Sequence, residues 1–253
     1  MSLLMHAGGE LVTFNDIQAV PLPEKTETYQ PVGHADLAMN LQRVASDMLT
    51  GYHFDHSQYG LNKEGQQLFG IHTFKNGHKD MGMSIGFRNS YDRSMSVGIA
   101  IGASVFVCDN LALTGEVTVM KKHTLNVLEE LEEKIVTTIY RSKNNFTNIV
   151  EDARKMGLTE LDDDMAYRIM GLLYGHKIVS PTQLSVMNRE WAEPVHEEFQ
   201  ARNLWSLYNC ANSALKSSPP NKIMEKHIDL HKMLSPMSGA ELLVERDVAP
   251  VLD

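Results

Sequence analysis

"MGMSIGFRNSYDRSMSVGIAIGASVFVCDN" (Met81–Asn110) is the stretch whose reading decides the fold. Two apolar runs, 81–90 and 94–110, meet at a polar elbow, Arg88–Ser94. The second run carries Val97, Ile99, Ile101, Val105 and Val107, β-branched residues that suit a pleated strand. Gly98 and Gly102 within it predict a bend, a bulge or a close backbone approach. Upstream, "YHFDHSQYGLNKEGQQLFGIHTF" (52–74) has Asn62-Lys63-Glu64-Gly65 at its centre, a turn signal between two further strands. Connections this short hold no crossover helix, so at least four antiparallel strands are expected between 52 and 120.

Outside that block the period changes. Residues 1–32 read as a loosely structured segment, with Glu10–Phe14 as a short strand and 20–33 as a proline-rich extended connector. A helix follows, with Leu37, Leu41, Val44 and Met48 at helical spacing, His34 or Asp36 as its cap, and Gly51 as its stop. From Lys122 a long helix is expected, with Leu125, Leu128, Ile135 and Ile139 on one stripe and Glu129, Glu130, Glu132 and Glu133 mostly opposite, ending at Gly157. Four shorter helical patterns come after it; one opens with Ser180 as N-cap and Pro181 in the first turn. The order predicts an α+β fold: an antiparallel sheet of at least four strands, one helix before it, a long helix and a helical C-terminal half after it. The helices are expected to pack on one sheet face. The expected parts are 1–32 (extended), 33–156 (sheet and long helix) and 157–253 (helices packed on it), the tail after Gly239 being unassigned.

The bulk numbers narrow the partners. The 253 residues are 43% hydrophobic and 22% charged, ordinary for a globular protein with a sizeable core. No apolar run reaches the roughly 18 residues of a membrane span, and the start lacks the pattern of a signal peptide. Cys108 and Cys210 have no paired spacing and read as buried thiols in a reducing, cytoplasmic setting. The net charge of −9 opposes blanket adhesion to nucleic acid, whose affinity comes largely from phosphate neutralisation. A local basic groove stays compatible with it, because fields act over a Debye length of about 8–10 Å.

The elbow also carries a resemblance. "FRNSYDRSMSVGIAIGASVFVCDNLALTGE", preceded by "LNKEGQQLFGIHTF" and followed by "RNLWSLYNCANSALK" and "HIDLHKML", resembles the phage- and plasmid-borne family called domain of unknown function 932. Those proteins carry R-N-S-H-D-x-S, an apolar strand ending in V-C-x-N, and a late L-W-x-L-Y-N-A helix. The resemblance covers about residues 8–235, and Tyr91 stands where the family usually has histidine. It implies a cytoplasmic protein of mobile-element DNA and assigns no activity. The order of elements is also similar to the core of single-strand annealing recombinases of the RecT and Redβ kind, which implies oligomers that hold DNA in a basic groove.

Arg88, Arg93, Asn89, Ser90 and Tyr91 of the elbow, with Lys63 and Lys75, are the candidate nucleic-acid contacts. Guanidiniums grip phosphate bidentately, and Tyr91 or Tyr59 is available for stacking on bases. Lys79, Lys121 and Lys122 are further basic residues of the same half. The competing reading is a structural turn in which Arg88 pairs with Asp92. Weak metal candidates are His53, Asp55 and His56, and the pair His227 and His231 one helical turn apart. Asp162–Asp164 read as a helix start, and Leu204, Trp205, Leu207 and Tyr208 as a core face. No catalytic residue and no cofactor is assigned. The expectation is a non-enzymatic protein that binds or anneals single-stranded DNA as an oligomer. The alternatives are a protein-interaction module that inhibits a host defence complex and a metal-dependent hydrolase.

Overall fold

The computed structural model describes residues 9–105, 110–219 and 222–238. The fold is α+β. Six strands form one antiparallel sheet in chain order: β1 (Glu10–Val12), β2 (His53–Asn62), β3 (Gln67–Lys75), β4 (Met81–Ser90), β5 (Val97–Val105) and β6 (Asn110–Lys121). The helices are α1 (Phe14–Ala19), α2 (His34–Met48), α3 (Val127–Leu158), α4 (Asp163–Gly175), α5 (Pro181–Ala192), α6 (Leu204–Leu215) and α7 (Ile223–Leu234).

Local chemistry explains the joints. At the β2–β3 turn Lys63, Glu64 and Gly65 are left-handed, with φ of 51°, 56° and 86°, and the Asn62 side chain accepts the Lys63 N–H. Ser180 and Gln183 form a reciprocal capping box with Pro181 in the first turn of α5. Asp162 caps α4 by accepting the Met165 N–H. Helix α1 lies just beyond the expected N-terminal strand, where Thr13 and Asp16 make another capping box. Helix α2 starts after Gly33 with no side-chain cap, because His34 is used in the core.

Strand alternation gives the sheet two unlike faces. Met83, Ile85 and Phe87 of β4 join Val97, Ile99 and Ile101 of β5 in the main core, with α2 and α3. Phe87 lies over its cross-strand partner Gly70, where an added Cβ would stand 2.2 Å from the ring. The alternate positions are small: Gly82, Ser84 and Gly86 in β4, Gly98, Ala100, Gly102 and Ser104 in β5. On that second face Ile223, Met224 and Ile228 of α7 pack with Phe69, Ile71 and Ala100. Helices therefore cover both faces, not one. The small residues lower the second face enough for α7 to lie against it. The predicted irregularity in β5 is a register shift between Ala100 and Gly102.

Helix α3 is 32 residues long, about 48 Å at 1.5 Å per residue. Its buried stripe is Val127, Leu131, Ile135, Ile139, Phe146 and Ile149. Leu125 and Leu128, expected on that stripe, are 47% and 50% exposed, because the helix starts at Val127 and sets its own phase. One cluster of buried apolar residues runs from Ile17 to Leu234 and joins the sheet half to the helical half. No helix among the described residues is long and apolar enough to cross a membrane.

A candidate anion-binding cleft beside the elbow

Most elbow residues are consumed by the fold. Arg88 is 4% exposed and donates two hydrogen bonds to Glu225 of α7, at 2.9 and 2.7 Å. It therefore clamps α7 to the small-residue face and does not pair with Asp92. Asn89 donates to the Val32 carbonyl at 2.6 Å and lies 3.0 Å from His34 Nδ1. His34 Nε2 donates to the Gly65 carbonyl at 3.0 Å, so its proton sits on Nε2 and Nδ1 accepts from Asn89. Burial brings the His34 imidazole down to about 4, which keeps it neutral. The Tyr91 ring stacks on it at 3.7 Å and 3°, and the Tyr91 hydroxyl accepts the His34 N–H. Ser90 donates to the Met95 carbonyl and accepts the Met95 N–H.

Asp92 closes the turn. It accepts from Ser94, from Gln67 Nε2 at 3.0 Å and from Lys63 Nζ at 3.1 Å. Partial burial raises its carboxyl, but the bonds from Ser94, Lys63 and Gln67 outweigh that and hold it at about 2. Lys75 is likewise bound to Asp55 at 2.8 Å. The rings proposed for stacking are inside: Tyr91 is 6% exposed and Tyr59 7%, packed by Phe14, His72 and Phe87.

Arg93 is the exception. It is exposed, has φ of +59° and places its guanidinium 4.2 Å from the centre of the Tyr29 ring. Left-handed backbone costs an ordinary residue roughly 1–2 kcal/mol, and strain of this kind gathers at functional sites. Antiparallel pairing of Val97 with Lys121 brings the elbow beside the β6–α3 link. The connector closes a third side, since Gln30 N–H donates to the His123 carbonyl at 3.2 Å. Together Thr28, Tyr29, Arg93, Ser94, Met95, Ser96, Lys122, His123 and Thr124 enclose a cleft of about 370 Å³. Arg93 and Lys122 make no ion pair among the described residues. Two unpaired cations, the hydroxyls of Thr28, Ser96 and Thr124 and an aromatic floor make a place for an oxyanion.

The other candidates are satisfied elsewhere. His56 Nδ1 bonds Asp55 at 2.7 Å, and a bulge between Phe54 and His56 breaks the simple face relation of that trio. His227 Nδ1 donates to Asn212 Oδ1, while His231 lies between the Tyr208 hydroxyl and Asp152, each at 3.2 Å. Those two imidazoles thus serve different partners. No group of three or more histidine, cysteine, aspartate or glutamate side chains is placed to hold a metal among the described residues. Cys210 is buried, which pushes its thiol up to about 12; Cys108 lies outside the described residues. Trp205 stacks on the buried Tyr208 in the core. Lys79 is exposed, and the Lys121 side chain lies outside the described ones.

Two walls of the cleft, Tyr29 and His123, carried no signal in the sequence. One sits in the connector, the other follows the last strand, and only the tertiary fold joins them. No protein-family model, no curated protein sequence and no solved structure matches the chain.

Proposed function

We propose that the chain is a non-enzymatic binding protein that takes the phosphates of single-stranded DNA at the Arg93–Lys122 cleft. The observation that carries this reading is selective neutralisation. Lys63, Lys75 and Arg88 are spent on Asp92, Asp55 and Glu225, while Arg93 and Lys122 share one cleft with no acidic partner among the described residues. In a chain of net charge −9 a cleft of this sign concentrates anions locally. The guanidinium plane over Tyr29 adds a flat surface on which a base can stack. The motif resemblance to domain of unknown function 932 supplies the setting: a cytoplasmic protein handling the DNA of phages and plasmids.

Salt titration of oligonucleotide binding tests it. Two phosphate contacts to a single strand give a slope of log affinity against log salt of about −1.4. Arg93→Ala with Lys122→Ala removes that slope and leaves the unfolding transition where it was. A slope near zero in the parent chain overturns the proposal.

Self-association belongs to the same reading. Leu128, Val136 and Tyr140 form an exposed apolar row along α3, 50%, 41% and 78% exposed. Light scattering on the parent and on Val136→Asp checks this: a monomer in both removes the oligomer from the proposal.

A further inference from the structure

A second cavity, of about 300 Å³, lies between α5, α6 and the first residue of β6 and shares no residue with the Arg93–Lys122 cleft. Two segments that stand out in the sequence meet at its wall. Asn110, which ends "VFVCDN", donates to the Asn209 side chain of "LWSLYNC" at 2.9 Å and to the Asn209 carbonyl at 3.3 Å. The two asparagines are 2% and 1% exposed, so this polar wall is built into the fold. Cys210 lines the cavity beside them; burial pushes its thiol up to about 12, which keeps it neutral.

The acid of the lining is Glu190 of α5. It accepts a hydrogen bond from Ser213 Oγ at 2.7 Å, and its charge also acts on the Cys210 thiol. Ser213 and Cys210 both line the cavity, so these two contacts fix the carboxylate at its wall. Glu190 makes no ion pair among the described residues. Neither does Arg189, which is exposed and lines the same cavity, so no acid holds its long side chain away from the mouth. Lys216, 8% exposed, is a second cation in the lining. Most of the remaining wall is apolar: Val186, Pro194, Val195, Phe199 and Ala214.

Volume and charge select the ligand. A water in the liquid takes about 30 Å³, so the cavity holds about ten waters' worth, or a ligand of about ten non-hydrogen atoms. A mononucleotide has about twice that many and is too large to be enclosed. Arg189 and Lys216 outnumber Glu190, which calls for an acid and disfavours a bare amine. The unpaired Glu190 carboxylate calls for a cationic donor on the same molecule, and the apolar wall for a hydrocarbon group.

We propose that this cavity binds a free apolar α-amino acid of about the size of leucine. Arg189 takes its carboxylate, Glu190 its ammonium, and Val186, Pro194 and Phe199 its side chain. The site is separate from the strand-binding cleft and stands or falls without it.

Saturation-transfer NMR titration of the full chain tests this, with L-leucine, L-isoleucine and L-methionine as ligands. 4-Methylpentanoate, L-leucinamide and glycine serve as analogues that lack the ammonium, the carboxylate and the side chain in turn. At least one of the three amino acids is expected to saturate the protein with a dissociation constant below about 1 mM, and each analogue to bind about tenfold more weakly than leucine, one contact being lost in each. Glu190→Gln still accepts from Ser213 and is expected to bind leucine no better than 4-methylpentanoate. Arg189→Ala is expected to narrow the gap between leucine and leucinamide. Both variants keep the parent's oligonucleotide binding. No saturation by any of the three amino acids up to about 10 mM overturns the inference. So does equal binding of leucine and 4-methylpentanoate by the parent chain, a comparison that needs no variant.

Discussion

Glu225→Ala separates what holds the elbow from what the elbow does. In the parent, Glu225 takes two hydrogen bonds from Arg88, whose side chain is 5% exposed while its partner's is 43% exposed. Removing the carboxylate takes the two Glu225 hydrogen bonds from a buried guanidinium. Breaking a fully buried pair in this way costs about 3–5 kcal/mol. The exposed half of the pair is screened by water, which brings the expected loss down to about 2 kcal/mol. Arg88→Met is expected to cost less, because the carboxylate left behind is already half in water. The double variant should be no less stable than Glu225→Ala alone. For a chain of this size, 2 kcal/mol lowers the melting temperature by about 4–8 °C. Urea or thermal unfolding reads this, and oligonucleotide anisotropy on the same samples reads function. Glu225→Ala should lose stability and keep its salt slope, whereas Arg93→Ala should keep its stability and lose about half of that slope. Unchanged unfolding in Glu225→Ala, or loss of binding in Arg88→Met at conditions where it is folded, would refute the division of labour between the two arginines.

Three further outcomes follow from the packing. Gly70→Ala drives a Cβ to 2.2 Å from the Phe87 ring and should cost about 1–3 kcal/mol, recovered in part by Phe87→Leu and read by urea unfolding. Tyr91→Phe strips the acceptor from the buried His34 N–H and should cost about 1–3 kcal/mol in the same assay. His34 and His72 are both held at about 4 by burial, so the unfolded chain binds more protons than the folded one below pH 6.5. Stability is complete above that value and falls as pH drops toward 4, by about 3–4 kcal/mol for the two together between pH 7 and pH 5. Equal urea midpoints at pH 7 and pH 5 would contradict their neutral burial.

The sheet and the long helix were legible because each has a period of its own. Val97, Ile99 and Ile101 alternate, and Ile135 and Ile139 repeat at helical spacing, so neither needed tertiary information. Helix α1 was missed because six residues are too short to display a period; its signal was the Thr13–Asp16 capping box. The second helical layer was also written in the sequence, as the small residues Gly82, Ser84 and Gly86 opposite Ser104, Gly102 and Ala100. Their alternation says that something lies close to that face, though not that it is α7. Arg88 shows the limit. Its partner lies 137 residues away, and no local pattern distinguishes a guanidinium clamped to Glu225 from one offered to solvent. Proximity in sequence made Asp92 the natural partner, but the alternation of β4 turns Arg88 to the α7 face, while Asp92 turns back on Lys63, Gln67 and Ser94.

That difference decides how charge in this molecule is to be interpreted. A count of cations near the sheet overstates the basic surface, since the ion-paired ones contribute little field beyond their partners. What attracts an anion is the remainder. At the elbow the remainder is Arg93, released because its neighbour Asp92 is saturated by four donors: the Ser94 N–H and hydroxyl, Gln67 and Lys63. The residues that appear functional by type, Asn89, Ser90 and Asp92, thus act one step back. They hold the turn that puts Arg93 at φ +59° over Tyr29 and beside Lys122. Weakening Asp92 by Asp92→Asn should therefore cost binding through Arg93's position, and Arg93→Ala should erase that effect. Additive losses in the double variant would mean that Asp92 and the cleft act independently.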